Sequence, residues 1–270
     1  MFLRMLGKTP KCLSYLYAWA PPILLMLILF TTWEVLVAVM DVPQWLLPSP
    51  SVIGKELVVR SELLFQHAIV TLSEILAGFL LAFVTGVVLA VAIAYSRLLE
   101  RSVYPFVIAS QTIPIIAIAP LLLVWIGYDI RPKILVVALI SFFPLVVNMV
   151  DGLRSVDPDA VKMFRTLGAT PWQIFRKLQI PGSLPYLFSG MKISVAIAVI
   201  GAVIGEWVGA SSGLGYLMLQ ASPRFQTALV FAAIAILSFI GISLFFLVNL
   251  LEYAFLPWDR ERRRSIKKRH

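Results

Sequence analysis

Ionisable side chains inside apolar runs are where this sequence could do chemistry. Glu34, Glu74, Lys192 and Glu206 each stand within, or at the end of, a long apolar stretch. A charge in that setting is costly and is kept for pairing, conduction or proton movement. Glu74, Lys192 and Glu206 fall near the expected ends of their stretches, where they can snorkel or cap. Glu34 lies deeper and looks isolated; it packs and orients the first helix or, as the exception among the four, has a role beyond that. The uncharged Gln111, Thr112 and Asn148 sit at middle or inner depth, where they line a pathway or bond neighbouring helices. Other chemistries lack their residues. The two histidines are His67 and His270 and the one cysteine is Cys12, so no His/Cys metal spacing, Ser/His/Asp arrangement or intrachain disulfide is available. Gly7-Lys8-Thr9 looks like the end of a phosphate-binding loop, but Phe2 stands where that loop needs its first glycine and no strand precedes it. The chain is therefore not expected to bind ATP, and no cofactor or metal is expected.

Two further stretches position these residues. The first, 154–185, is the longest polar interruption and carries Arg154, Lys162, Arg165, Arg176 and Lys177. It has the punctuation of two short helices. Asp157 is an N-cap with Pro158 at the first helical position, and Gly168 is a stop. Thr170-Pro171 repeats the start and Pro181-Gly182 the stop. The second helix places Trp172, Phe175 and Leu178 on one face. A helix this short needs a membrane surface or a protein groove to cover that face. The other stretch runs Gly205-Glu206-Trp207-Val208-Gly209-Ala210 and then Gly213-Leu214-Gly215-Tyr216. It reads as a structural turn or a gate element, with Trp207 and Tyr216 suited to the membrane interface.

The elements follow from composition. Of 270 residues, 60% are hydrophobic and 14% charged, which excludes an ordinary soluble domain. The expected class is an all-α membrane protein with six transmembrane helices at 20–40, 68–95, 103–126, 134–150, 187–204 and 227–250. The net charge of +9 does not indicate nucleic acid, because the basic residues lie between and beyond the apolar runs. The first run is too long for a signal peptide and reads as an uncleaved span. With both termini cytoplasmic, the inner segments hold 17 Lys/Arg and the outer segments 5. That asymmetry places the 151–186 loop inside the cell. The resulting plan is a cytoplasmic segment 1–19, a membrane domain 20–257 and a basic cytoplasmic tail 258–270 suited to anionic lipid. Ser49 and Pro50 open an outer segment, 41–67, in which Leu57, Val58, Leu63 and Leu64 suggest an amphipathic surface helix.

Gly168-Ala169 followed by Leu178-Gln179-Ile180-Pro181 resembles the later part of a known cytoplasmic signature. It is that of the permease subunits of bacterial ATP-binding-cassette importers. Lys162, Met163 and Phe164 stand where the family's Glu-Ala-Ala start would be. Other pieces resemble the nitrate/sulfonate/taurine and thiamine-precursor branch: Leu47-Pro48-Ser49-Pro50-Ser51, Thr71-Leu72 with Gly78-Phe79, Gln111-Thr112-Ile113-Pro114 with Ala119-Pro120-Leu121, and 201–207 with Gly213-Leu214-Gly215. Glu74 departs from the basic residue expected there. The resemblance implies a pore formed with a second permease chain, separate ATPase subunits, an external solute-binding protein, and location in the bacterial plasma membrane. It implies a coupling helix whose ATPase contact is Arg165, Thr166, Leu167, Gly168, Ala169 and Thr170. On the residue reading above, Gln111, Thr112, Asn148, Glu206, Trp207, Gly213 and Gly215 are the candidates for the pathway or gate. The solute implied is a thiamine pyrimidine precursor or a riboflavin-like vitamin, with nitrate, sulfonates and taurine as alternatives.

Two other classes compete. An ion-coupled carrier needs paired charges at mid-depth and repeat symmetry, and a membrane enzyme needs clustered catalytic groups. The sequence displays neither.

Overall fold

A computed structural model describes residues 11–258, with side chains from residue 20 onward. The start of the chain, including Gly7-Lys8-Thr9, and the basic tail beyond Trp258 lie outside the described residues. Among the described residues the chain forms twelve α-helices and no strand. They fall into two units, one of Met1–Ser61 with Ala221–Ala232 and one of the remainder.

In the first unit, α1 (Lys11–Val39) carries the first apolar run and α2 (Pro50–Val59) follows an extended Ser49. Residues Ile23 to Phe30 of α1 are all more than half exposed, as a helix facing acyl chains or another chain would be. Glu34 is not isolated. Its carboxylate accepts from Ser51 N at 3.0 Å and Ser51 Oγ at 2.7 Å, so it caps the first turn of α2 across the intervening loop. Trp33 packs between Phe30 and Phe231, and Thr227 Oγ1 donates to the Trp45 carbonyl. The surface helix expected through Leu64 ends sooner. Ile53 is its buried residue, Val58 is exposed, and Leu63 and Leu64 belong to the next helix.

The second unit is built on α3 (Ser61–Tyr95), α7 (Arg131–Arg154) and α10 (Ile180–Gly209). With 35 residues, α3 is about 50 Å long, well beyond the hydrocarbon core. In lipid, burying apolar side chains gains little from water, so close packing and hydrogen bonds hold helices together. Small residues supply the closeness. On α3, a Cβ at Gly86 would stand 3.3 Å from Leu145 Cβ and 3.6 Å from Val146 Cγ2 of α7, and Ala82 and Ala90 belong to the same buried cluster. On α10, a Cβ at Gly201 would stand 2.7 Å from Ile140 Cγ2, and one at Gly190 would stand 2.8 Å from the Pro144 carbonyl. Between them Ser141 and Ser194 exchange hydrogen bonds, each hydroxyl donating to the other's carbonyl, at 2.7 and 3.3 Å. Lys192 of α10 pairs with Glu252 of α12 (Thr227–Phe255) rather than snorkelling.

Two expected boundaries change. The stretch 103–126 is not one straight span. α4 (Arg97–Ser102), α5 (Tyr104–Ala109) and a 3₁₀ turn at Ser110–Thr112 lead into α6 (Ile115–Ile126) across a bend of 102°. Pro114 forces Ile113 out of helical geometry, to φ −83° and ψ 119°. The described residues thus hold five straight candidate spans, or six if the bent pair counts as one. Nor does Pro181-Gly182 stop a helix. From α9 (Pro171–Ile174) the chain passes through a π-turn, Phe175–Gln179, directly into α10. The wider π-turn sits just ahead of Pro181 and accommodates a residue that lacks an N–H, so the fifth span is far longer than 187–204.

Candidate functional site

At one end of the second unit lies a corner made by α8 (Pro158–Thr166) and α9. Asp157 caps α8 by accepting from Asp159 N at 2.9 Å, with Pro158 in the first turn. The helix closes on Gly168, whose φ of +78° is one that glycine alone adopts without strain. Gly168 N donates to the Arg165 carbonyl and Ala169 N to the Phe164 carbonyl, the paired closure of a Schellman motif. One residue later a capping box begins α9. Thr170 Oγ1 accepts from Gln173 N, and Gln173 Oε1 accepts from Thr170 N at 2.8 Å. Two capped helices separated by four residues form a stiff corner. Its tips are exposed and apolar: Met163 is 56%, Leu167 76% and Trp172 64% exposed. Arg165, Thr166, Gly168 and Thr170 are exposed with them, and Ala169 is half-buried. Among the described residues Lys162 pairs only with Asp159, at the surface. The corner has no bond-making chemistry.

At the far end of α10 a buried polar cluster forms. Glu206 is fully buried. Its Oε1 accepts from Thr71 Oγ1 at 2.6 Å, and its Oε2 accepts from Gly215 N at 2.5 Å and Tyr216 N at 3.2 Å. The carboxylate therefore caps the first turn of α11 (Leu214–Ala221). Thr71 Oγ1 also accepts from Leu214 N at 2.8 Å, and His67 Nδ1 accepts from Gly213 N at 2.9 Å. Gly213 has φ +115°, and a Cβ there would collide with the Glu206 carboxylate. Beside this lies Glu74, also fully buried, with Lys133 Nζ 3.3 Å from its Oε1. Neither Glu74 oxygen receives a hydrogen bond among the described residues. Glu74 and Glu206 thus do not snorkel; they are sealed inside the bundle.

The structure brings Glu206, Gly213 and Gly215 together, with Trp207 44% exposed beside them. It places Gln111 and Thr112 exposed at the α5–α6 bend. Asn148 is half-buried and donates from Nδ2 to the Pro144 carbonyl at 2.8 Å. Sequence reasoning missed His67, Thr71 and Lys133 as partners. The available signal was spacing, since His67, Thr71 and Glu74 at i, i+4 and i+7 share one helix face.

With an all-helical second unit that has a stiff exposed corner at one end and a locked glycine turn at the other, the chain falls among the transport permeases. The chain belongs to the family described as binding-protein-dependent transport system inner membrane component, which matches residues 82–256. It is an ATP-binding-cassette importer permease of the inner membrane. It is 41% identical to the formylaminopyrimidine transport permease protein ThiX of Halalkalibacterium halodurans, over 89% of this chain and 96% of that one. It is 39% identical to the riboflavin transport system permease protein RibX of Chloroflexus aurantiacus, over 88% of this chain and 89% of that one. A solved inward-facing MetNI methionine ABC transporter superposes with a TM-score of 0.64 at 22% identity, over 72% of this chain and 97% of that chain. That likeness concerns the fold.

Proposed function

We propose that this permease imports a small heterocyclic vitamin or vitamin precursor, of the thiamine pyrimidine (hydroxymethyl- or formylaminopyrimidine) or riboflavin type. The observation that supports it is the similarity, over nearly the whole chain, to two permeases whose names carry those solutes. An external solute-binding protein delivers the solute. Two copies of this chain form the path, with Gln111, Thr112 and Asn148 along it and Glu206, Trp207, Gly213 and Gly215 at its outer gate. Both termini lie in the cytoplasm, as the 17-to-5 distribution of Lys and Arg supports. ATP is hydrolysed on separate subunits that receive the corner Arg165–Thr170. Closure of those subunits moves the corner as a rigid lever, because a Schellman motif and a capping box leave it no soft joint.

The test is uptake by the permease reconstituted with candidate ATPase subunits and binding protein. Uptake of labelled formylaminopyrimidine or riboflavin that requires internal ATP and ignores an uncoupler supports the reading. Uptake of taurine, sulfonate or nitrate instead overturns the solute assignment, and uptake that collapses with the proton gradient overturns the importer mechanism.

A further inference from the structure

The first turn of α11 is held from outside its own helix. A helix start leaves four backbone N–H groups without intrahelical partners. Here side chains meet all four. Gly213 N donates to His67 Nδ1 at 2.9 Å and Leu214 N to Thr71 Oγ1 at 2.8 Å. Gly215 N and Tyr216 N donate to Glu206 Oε2 at 2.5 and 3.2 Å. Of the three acceptors, His67 is set apart by its chemistry. A hydroxyl does not titrate in the neutral range, and the Glu206 carboxylate is fully buried. His67 is half-buried, and an imidazole changes charge between about pH 5 and 8.

The geometry fixes the state of this ring. An imidazole nitrogen that accepts from an N–H carries no proton, so the proton of neutral His67 sits on Nε2. The ring is also held in plane, stacked on Tyr216 with centroids 6.2 Å apart and 28° between the planes. Protonating Nδ1 would point a second N–H at that of Gly213, and the hydrogen bond would be lost. Gly213 is buried, so its N–H would then have no water to turn to. The charged group facing His67 across Gly213 is Glu206, because a Cβ on Gly213 would fall 2.2 Å from the Glu206 Cδ. An imidazolium drawn to that carboxylate would compete with the three donors it already holds. From α11 the facing group is Tyr216. Two turns further along α3, Glu74 pairs with Lys133 of α7, and Glu62, on the other side along α3, accepts from Gln66.

We infer that His67 is a positioning residue of the 210–216 turn and a pH-sensitive latch on it, holding the start of α11 while neutral and releasing it when protonated. The latched chain binds fewer protons at His67 than the unlatched one. The turn is therefore firmest at high pH and loosens as pH falls through the histidine range. The latch stands on its own geometry; only its consequence, an outer gate that loosens in mild acid, rests on the gate assignment made above.

Histidine nitrogen NMR on the full chain reads the latch directly. The chain has 2 histidines, so His270→Gln, purified without a histidine tag, leaves His67 as the sole signal. At about pH 8 we expect the tautomer with its proton on Nε2, converting to the doubly protonated ring towards about pH 5.5. Over the same range the protection of 210–216 against amide hydrogen exchange should fall about fivefold, the factor that one net hydrogen bond is worth. His67→Phe keeps a ring against Tyr216 but accepts nothing, and should show the weaker protection at both pH values. His67→Gln keeps an acceptor that does not titrate, and should make protection insensitive to pH. A purely structural ring would instead be replaced better by Phe than by Gln. A proton on Nδ1 at the higher pH, a ring still neutral at the lower, or native protection that ignores pH would each overturn the inference. Should either variant fail to fold, the ring state and exchange of the chain with native His67 still decide. Uptake plays no part in these measurements, so their failure leaves the solute assignment standing, and a different solute leaves the latch standing.

Discussion

Glu206 is a buried carboxylate that accepts three hydrogen bonds, two of them from the backbone at the start of α11. Without it those N–H groups have no partner, and an unsatisfied buried donor costs about 1–3 kcal/mol. Glu206→Ala should lower thermal stability in detergent and loosen the 210–216 turn. Glu206→Gln should lose less, because one oxygen still accepts. Glu74 and Lys133 offer a sharper experiment. Removing Lys133 leaves Glu74 buried beside the Glu206 carboxylate without its cationic partner, and breaking a buried pair costs about 3–5 kcal/mol, whereas replacing both together removes the pair cleanly. Lys133→Met should therefore destabilise strongly, and Glu74→Gln with Lys133→Met should recover most of the loss. Equal melting temperatures for the single and double variants would contradict the pairing. Part of this cluster was legible beforehand. Glu206, Gly213 and Gly215 are near in sequence, but Thr71 is 135 residues from Glu206, and no local pattern joins them.

At the level of elements, the corner depends on Gly168. A side chain at φ +78° costs about 1–2 kcal/mol in backbone strain. No atom of the described residues lies within contact distance of a Cβ there, so strain is the penalty they impose. Gly168→Val should leave the permease folded but tilt α8 against α9. We expect co-purification with the ATPase subunits to fall sharply while melting changes little. Unimpaired co-purification would remove the corner from the interface. The α7–α10 packing makes the opposite prediction. Gly201 admits no Cβ, so Gly201→Leu should abolish the stable fold, measured as loss of monodisperse protein in size-exclusion chromatography. The start signals Asp157-Pro158 and Thr170-Pro171 were readable because a cap is a local hydrogen bond. The stop at Pro181-Gly182 was misread because a π-turn, which no residue type marks, carries the helix through.

For the whole molecule, the orientation is checkable with its single cysteine, Cys12, replaced by serine. New cysteines at Leu167, 76% exposed, and Val58, 74% exposed, report the two sides. Leu167→Cys should react with a membrane-impermeant maleimide only from the cytoplasm and Val58→Cys only from outside. The reverse pattern would invert the assembly and place the corner beyond the reach of ATP.

The membrane class, the apolar runs and the capped corner were determined by the sequence alone. Each rests on composition or on contacts a few residues long, and hydropathy and capping act at that range. Only the tertiary structure decided that 103–126 bends, that α10 begins ahead of its proline, that Glu34 caps α2, and that Glu74 and Glu206 are sealed against Lys133 and Thr71. Those outcomes depend on which helix faces are brought together. In a bundle held by close packing rather than by water, small residues at distant positions make that choice.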